Sequence, residues 1–459
     1  MKKTFKATAF AATFLASVAA TAVAADTGNG AVVGRWDATL SRDGVEIPFR
    51  LDIAADGSAI KGVFYDGFKP YDGTTSATFQ NGNLVLNVDH YLTTINAKLE
   101  GGQLNGTVVA QNRETSSDYS FHAVRHVDAP TTTVSSVPQV AGIWEIPLAS
   151  PSSKGEKAFR FVVQQRGDEL AASILRIDGD TGAYTGAFKD GKWVLSHFDG
   201  SRPGVIVVTP KADGTLDVQQ QIARAKAVAT AVAKPAGNDY AAETAPDGRY
   251  AKTLVAYRPD VARAKGFAQP DSFLTHTTVT NPNETFKFAF PDNDGKIVTQ
   301  DDPRFKNKVI VAVVTGTWCP NCHDEAQYLV KLDKKYRDKG LAIVALNFEE
   351  PEQLETLKRQ KAFVKQYGVK YTYLEAGSPA QMWEKVPQLA HLDTWPATVF
   401  IGRDGKVRAV HSGFASPASG EYHTQLNEEF TTRIEQLLAE APATVASAET
   451  RAPTVLAAK

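Results

Sequence analysis

Two cysteines, Cys319 and Cys322, are the only ones in a chain of 459 residues, and they lie within TGTWCPNCHDE (315–325). Thiolates at this spacing can bind a metal, close a structural disulfide or exchange electrons with another disulfide. A structural zinc site usually takes four Cys or His ligands, and only His323 adjoins the pair. We therefore expect no metal, although Cu(I) capture by both thiolates and His323 stays an alternative.

A redox role fits the pair better than a structural role. A disulfide that closes four residues gains little from loop entropy, so it would stabilise the fold only weakly. Cys319 lies where an apolar strand meets a helix, and the free N–H groups and the dipole there should stabilise its thiolate. Pro320 suits the first helical turn. Cys322, one turn further on, can then resolve a mixed disulfide formed by Cys319.

The three residues after Cys322 carry further titratable groups. Glu325 is three residues beyond Cys322 on the same helical face, so its carboxylate could accept the Cys322 proton directly or through water. The alternative role for Glu325 is a charge near the helix start that favours the helix dipole. His323 and Asp324 are expected to point outward into solvent.

The elements around the cysteines indicate an α/β domain over residues 271–440. KVIVAVVTG and LAIVALNF are continuous apolar runs, typical of strands buried on both faces. PATVFIGRDGKVRAVHSGF predicts a hairpin with Asp404 and Gly405 in its turn. Strand, helix and strand followed by a hairpin and a helix is a three-layer α/β plan. The predicted helices cover residues 320–339, 351–367, 380–389 and 422–438.

The first half of the chain predicts all-β structure that occurs twice. Short alternating runs are separated by DG and NG turns, as in hairpins. The GRW triplet that starts at Gly34 returns as GIW at Gly142, and FQNGNLVL at Phe79 returns as FKDGKWVL at Phe188. We predict two related β-modules, residues 30–127 and 137–221, joined through a Thr/Ser/Pro-rich stretch.

Each G-x-W motif resembles the first strand of a lipocalin-type barrel, which could hold a ligand. The alternative is that Trp36 and Trp144 only fill the cores of their modules. Lipocalin-like barrels and sandwiches both remain open, as do two separate barrels or one joined sheet. The predicted fold class is therefore multidomain, with two all-β repeats before a C-terminal α/β domain.

The N-terminal residues 1–24 predict a cleaved signal peptide. Lys2, Lys3 and Lys6 precede a short apolar region and an A-x-A site that ends at Ala24. The mature chain is therefore expected to be periplasmic or secreted, without a lipid-bearing cysteine. No later apolar run approaches the ~18–20 residues of a membrane span. An oxidising compartment would let a disulfide persist.

Two further segments and the overall charge complete the organisation. Residues 222–270 are Ala-rich with Pro and Gly and predict a helix followed by a linker. Residues 441–459 show no periodicity and predict a disordered tail. The chain has 50 basic and 51 acidic residues, a net charge of −1, and no basic stripe that would indicate nucleic-acid binding.

Residues 271–440 resemble the thioredoxin fold, and most closely the TlpA/ResA-like exported thiol–disulfide oxidoreductases. The similarity rests on TWCPNC after VIVAVVTG, on TWPATVFIGRDGKV and on the order of elements. It implies that Trp318, Cys319 and Cys322 form the W-C-x-x-C motif. It implies a cis-proline at Pro396 beside a substrate groove, and an active-site glutamate at Glu325.

Several positions depart from thioredoxin itself. The buried Asp under the thioredoxin site falls on Val313, and its Lys partner on about Ala345, so proton transfer needs another group. Glu349 could be an acidic group near the active-site tryptophan, or a solvated residue before a helix. Trp395 stands before the proline, where thioredoxins carry a smaller residue, and should narrow the groove.

The sequence therefore predicts an exported protein thiol–disulfide oxidoreductase, more a reductase than an oxidase, whose cofactor is only its own dithiol. The Pro320-Asn321 dipeptide and Trp395 are expected to tune it. The family implies cysteine-containing exported proteins as substrates and a membrane thiol as electron donor. A peroxiredoxin-like peroxidase is one alternative, but Ala312 and Gly316 replace its motif residues. A binding protein whose β-modules carry the function, with a ligand or a metal, is the other.

Overall fold

The computed structural model of the protein describes residues 28–112, 115–127, 137–221 and 253–440. The predicted signal peptide, most of the stretch between the two β-modules and the predicted tail lie outside these ranges. In the part of the chain that is described, no helix has the length and apolarity needed to cross a membrane.

The first β-module is one antiparallel sheet. Its strands are β1 (Gly34–Arg42), β2 (Val45–Asp56), β3 (Ala59–Asp66), β4 (Lys69–Gly73), β5 (Ser76–Gln80), β6 (Asn83–Val88), β7 (Thr93–Glu100), β8 (Gln103–Asn112) and β9 (Thr115–Arg125). The strand order is β4-β3-β2-β1-β9-β8-β7-β6-β5, so the two end strands are neighbours in the chain. Inward side chains from every strand of the sheet except β4 pack into one apolar core. A short 3₁₀ helix, Asp89–Tyr91, follows β6.

The second β-module is a closed antiparallel sheet. Its strands are β10 (Gly142–Pro147), β11 (Ala158–Arg166), β12 (Glu169–Arg176), β13 (Gly179–Asp180), β14 (Tyr184–Lys189), β15 (Lys192–His197), β16 (Gly204–Pro210), β17 (Leu216–Gln221) and β18 (Leu254–Ala256). The path runs from β10 to β18, with β13 paired to β12 at its side. Glu145 and Tyr257 exchange two backbone hydrogen bonds of 2.8 Å and close the circle.

The segment predicted as helix and linker, residues 222–270, therefore contributes to the second module. Within its described part, β18 pairs with β17 and places Ala256 in the core, and a short helix α1 (Pro259–Ala264) follows. This segment joins the sheet because its apolar LVA triplet, β18, pairs with a strand that ends more than 30 residues earlier in the chain. Residues 222–252 lie outside the described residues.

The repeat is visible in the cores. The indole N–H groups of Trp36 and Trp144 each donate to the carbonyl four residues earlier, both at 2.8 Å. The guanidinium of Arg125 lies over Trp36 at 4.1 Å, and that of Arg258 lies over Trp144 at 3.9 Å. Both tryptophans are core side chains. Arg258, two residues after β18, is the counterpart of Arg125, the last residue of β9.

The C-terminal domain has the predicted three-layer α/β plan. Its five-stranded sheet has the order β24-β23-β22-β26-β27, where β22 (Val309–Thr315), β23 (Leu341–Phe348) and β24 (Thr372–Gly377) are parallel. The other strands are β19 (Thr278–Val279), β20 (Ala289–Pro291), β21 (Ile297–Thr299), β25 (Leu389–Ala390), β26 (Ala397–Ile401) and β27 (Val407–Ser412). The longer helices pack on one face of the sheet, and β20, β21 and a short helix pack on the other.

The helices of this domain differ from the predictions in two places. They are α2 (Pro320–Tyr336), α3 (Pro351–Leu354), α4 (Lys358–Tyr367), α5 (Met382–Lys385) and α6 (Glu421–Ala439). The helix predicted over 351–367 is interrupted, because Leu357 takes a left-handed conformation with φ of 50°. The helix predicted over 380–389 shortens to α5 after a 3₁₀ turn. Helices α2 and α6 agree closely with their predicted bounds.

Candidate active site

The two cysteines lie at the start of α2. Cys319 is the N-cap residue, and its carbonyl accepts the N–H groups of Cys322 at 3.0 Å and His323 at 3.2 Å. Both cysteines are free thiols, 4% and 1% exposed. The Cys319 thiol donates to the carbonyl of Trp395 at 3.5 Å. The N-terminus of α2 and the loop before β26 thus enclose the sulfur of Cys319.

Cys322 is the more deeply buried thiol. Burial first, and then the neighbouring Cys319 thiol, raise its pKa well above the usual value, and a hydrogen bond with the Thr315 side chain opposes this rise. A thiol that holds its proton this firmly needs a base before it can attack a disulfide. The chemistry of the pair therefore depends on a proton acceptor near Cys322.

Glu325 lies one turn after Cys322 on α2 and is only 1% exposed. Burial raises its pKa to about 8, although the hydroxyl of Thr398 donates to the carboxyl and opposes the shift. Tyr371 has a raised pKa, caused first by burial and then by the negative charges of Glu325, Asp333 and Cys322. The charges of both Glu325 and Cys322 therefore act on the Tyr371 hydroxyl.

The structure thus adds Thr398 and Tyr371 to the predicted site. Thr398 lies on β26, two residues after Pro396. Residues two apart along an extended chain face the same side. That alternation was a signal in the sequence for Thr398. Tyr371 lies just before β24 and had no comparable signal.

Aromatic rings and a proline form the walls of the site. The Trp395–Pro396 peptide bond is cis. The rings of Trp318 and Trp395 meet edge to face, with centroids 5.1 Å apart, and Phe348 packs on Trp395 at 5.8 Å. The Trp318 indole N–H donates to the carbonyl of Phe348 at 2.9 Å, which fixes the ring. Pro320 is the first residue of α2.

Glu349 is buried under the same turn, so the alternative of a solvated residue is wrong. Its carboxylate accepts the hydroxyl of Thr317 and pairs with the guanidinium of Arg359, which also binds Glu350 at 2.5 Å. Glu349 lies at the end of β23, next to the strand that leads to the cysteines. Glu349 therefore fixes the turn before Trp318 through its hydrogen bond with Thr317.

The prediction that His323 points outward is wrong, because the first β-module covers it. Its Nε2 lies 2.7 Å from the carbonyl oxygen of Thr317, and its Nδ1 lies 2.9 Å from the Tyr367 hydroxyl. The ring of Tyr91, from the first module, stacks on it at 4.2 Å. Burial lowers the pKa of His323 well below its usual value, so the ring is neutral.

Asp324 is also buried, for the same reason. The hydroxyl of Tyr71, from the first module, donates to it, and the guanidinium of Arg202, from the second, lies 3.5 Å away. Arg202 also pairs with Asp199 at 2.7 Å. Burial raises the pKa of Asp324 to about 7, although Arg202 opposes the rise. All three parts of the protein therefore meet on the first turns of α2.

Asn321, between the cysteines, contacts the second module directly. Its side-chain amide donates to the carbonyl of Asp178 at 3.1 Å. No group of three or more His, Cys, Asp or Glu side chains able to hold a metal ion is present in the described ranges. The start of α2 thus brings together two thiols, the buried carboxyl of Glu325 and an amide that binds the second module.

Comparisons with known proteins match the C-terminal domain. Residues 278–426 match the Redoxin family model. The thiol-disulfide oxidoreductase ResA of Bacillus thuringiensis subsp. konkukian is 32% identical over 126 residues, which is 27% of this chain and 65% of that protein. The protein of the same name from Halalkalibacterium halodurans is 25% identical over 155 residues, 33% of this chain and 81% of that protein. The chain thus spans slightly less than two thirds of the Bacillus relative.

Among solved structures, a putative thiol:disulfide interchange protein DsbE from Chlorobium tepidum is similar at 22% identity. The alignment covers 35% of this chain and 99% of that chain, with a TM-score of 0.28. A score of this size carries no argument about function.

Proposed function

We propose that this protein is an exported thiol–disulfide oxidoreductase that acts as a reductase. The match of the C-terminal domain to the Redoxin family model and its similarity to ResA support this proposal. The observation that carries the proposal is the enclosed Cys319–Cys322 pair at the start of α2, beside the cis Trp395–Pro396 bond. The dithiol is its redox group, and no further cofactor is needed.

The reaction consists of two exchanges. The Cys319 thiolate attacks one sulfur of a substrate disulfide, and the other substrate sulfur leaves as a thiolate that takes up a proton. Cys322 then loses its proton and attacks the Cys319 sulfur. This step forms the Cys319–Cys322 disulfide and releases the second substrate thiolate. Two electrons pass from the dithiol to the substrate.

Glu325 is our choice for the group that takes the Cys322 proton. A base works best when its pKa lies near the pH at which the enzyme operates, and burial raises the pKa of Glu325 to about 8. The buried position of Glu325 one turn after Cys322 on the same helix supports this role. Thr398 orients the carboxyl, and Glu349 supports the turn through Thr317.

Export is part of the proposal and is supported by the signal pattern of residues 1–24. The compartment would be the periplasm or the exterior. The substrates would be cysteine-containing exported proteins, and a membrane thiol would return the electrons. A reductase in an oxidising compartment needs such a donor, because the surrounding thiol pool would not keep its dithiol reduced.

The test is the reduction potential of the Cys319–Cys322 pair, measured by equilibration with glutathione or dithiothreitol. Cys319→Ser, which cannot form the disulfide, is the blank. We expect a value near or below about −250 mV, in the region of thioredoxin. A value near about −120 mV, in the region of DsbA, would reverse the direction. The absence of a two-electron couple would refute the redox function.

A further inference from the structure

A turn of the second β-module, residues 177–180, lies against the C-terminal domain beside the cysteines. Asn321, between the cysteines, donates its side-chain amide to the carbonyl of Asp178 at 3.1 Å. Gly179 pairs with Phe414 in a parallel β-bridge. The turn therefore touches both the cysteine motif and the loop that follows β27.

The backbones of the two domains lie so close at this contact that each contributes a glycine, Gly179 and Gly413. Gly179 has a φ of +127°, and a Cβ there would lie 2.6 Å from the side chain of Asn321 and 2.7 Å from the carbonyl oxygen of Phe414. A Cβ on Gly413 would lie 2.3 Å from the carbonyl oxygen of Ile177. Neither position has room for a side chain unless the two backbones separate.

Buried hydrogen bonds fasten the turn to the C-terminal domain. The Asp180 carboxylate, 2% exposed, accepts the backbone N–H of Ser416 at 2.7 Å and the hydroxyls of Ser416 at 2.9 Å and Ser419 at 2.6 Å. Charge-assisted bonds of this kind are stronger than neutral ones. The turn is therefore a fixed contact of the folded chain.

The other end of the turn is fixed within the second module. Lys154 binds the Asp178 carboxylate at 2.8 Å, and Arg176 lies 3.6 Å from it. Although burial opposes it, the charges of Arg176 and Lys154 hold the pKa of Asp178 at about 2. The ion pairs thus hold the side chain of Asp178, whose backbone carbonyl accepts from Asn321, within the second module.

While the 177–180 turn contacts Asn321 and Phe414, it limits which substrates can reach the sulfur of Cys319. Cys319 is 4% exposed. A polypeptide that approached the cysteine motif by pairing its backbone with Phe414 would need the position that Gly179 already occupies. A small disulfide has no backbone to pair with Phe414, so the turn does not compete with it for that position.

We propose that the 177–180 turn is a specificity element of the redox site. In the position described, the turn admits small disulfides and keeps disulfides carried on a polypeptide, including the exported-protein substrates of the proposed function, away from Cys319. A polypeptide disulfide reacts only when the turn is displaced. This inference rests on the proposed redox function and adds the substrate size that the site accepts.

The test compares the reduction of insulin with that of oxidised glutathione by the full reduced chain. Gly179→Ala adds a methyl group that pushes the turn away from Asn321 and Phe414. Asp180→Asn keeps the shape but places an amide against the hydroxyls of Ser416 and Ser419. Gly191→Ala is the matched control, because Gly191 also has a positive φ, of +79°, and no atom within 4 Å of the added carbon.

We expect the insulin rate, divided by the glutathione rate, to rise roughly tenfold in Gly179→Ala and Asp180→Asn, as the loss of one or two hydrogen bonds would cause. Gly191→Ala should keep the wild-type ratio. An unchanged ratio in both turn variants, with the same reduction potential and a folded spectrum, would overturn the specificity role alone. If the wild-type chain shows no two-electron couple, the redox function fails, and the specificity role fails with it.

Discussion

The two β-modules share the tryptophan and the arginine of their cores but contact α2 in different ways. The first module reaches it through side chains, with Tyr91 stacked on His323 and Tyr71 bonded to Asp324. The second contacts it through the backbone of the 177–180 turn and through Arg202. The first module therefore contacts His323 and Asp324 of α2, and the second contacts Asn321 and Asp324.

The difference shows which parts of a repeated module stay alike and which diverge. The core positions of Trp36 and Trp144 are constrained by packing in both modules, so they repeat with the same hydrogen bond and the same guanidinium contact. The loops that touch α2 are free of that constraint and carry the function-specific contacts.

The largest expected effect belongs to Arg202, which joins the second module to α2. Arg202→Met should lower the free energy of unfolding by about 3 kcal/mol, because Asp324 would be left buried without its cation and Asp199 would keep His197, 3.4 Å away, as its basic partner. Urea denaturation measures the change. The control is Arg50→Met, which removes an exposed ion pair of 2.9 Å between the modules and should cost at most about 1 kcal/mol. Equal losses in the two variants would mean that burial of the Arg202 cluster adds nothing.

The next effect concerns Glu325, whose carboxyl binds Thr398 within the C-terminal domain, and it tests the stability of that domain. Because burial raises its pKa from the usual 4.5 to about 8, the folded state binds a proton that the unfolded state has released. Stability should therefore fall as pH rises from about 5 to 8. Glu325→Gln should flatten this fall, by an amount on the order of a few kcal/mol across that range.

Denaturant unfolding at several pH values measures this slope. Glu46→Gln, at an exposed carboxyl of the first module, is the control and should keep the wild-type slope. If Glu325→Gln also keeps that slope, Glu325 does not take up a proton on folding.

The smallest expected effect is the difference in stability between variants at two tyrosines of the first module, Tyr71 and Tyr91. Tyr71→Phe removes the hydroxyl that donates to buried Asp324 and should cost about 1–3 kcal/mol. Tyr91→Phe should change stability by less than about 1 kcal/mol, because within the described residues the Tyr91 hydroxyl has no hydrogen-bond partner. Thermal unfolding of both variants ranks them. The reverse order would mean that the Tyr91 hydroxyl, and not its ring, holds the first module on His323.

The fold class follows from local pattern, and so do most elements of the C-terminal domain. β22 and β23 are apolar runs, α2 begins at a proline, and the hairpin turn holds Asp404 and Gly405. These signals lie within a few residues of one another, so no distant contact is needed to interpret them.

The surroundings of α2 could not be predicted in the same way. His323 and Asp324 are polar residues near a helix start, and their neighbours in sequence indicate solvent. Their partners Tyr71, Tyr91 and Arg202 are more than 100 residues away, so only the packing of three units reveals that this face is buried. The strand β18 was missed for the same reason, because its partner β17 lies across residues 222–252.

The closure of the second module has a practical consequence for cutting the gene into fragments. A boundary at residue 221 follows the repeat in the sequence, yet it would remove β18, Tyr257 and Arg258 from a sheet that they complete. The truncated piece would expose the open edges of β10 and β17, and open strand edges pair with other chains. A fragment that carries the second module alone should therefore extend through α1.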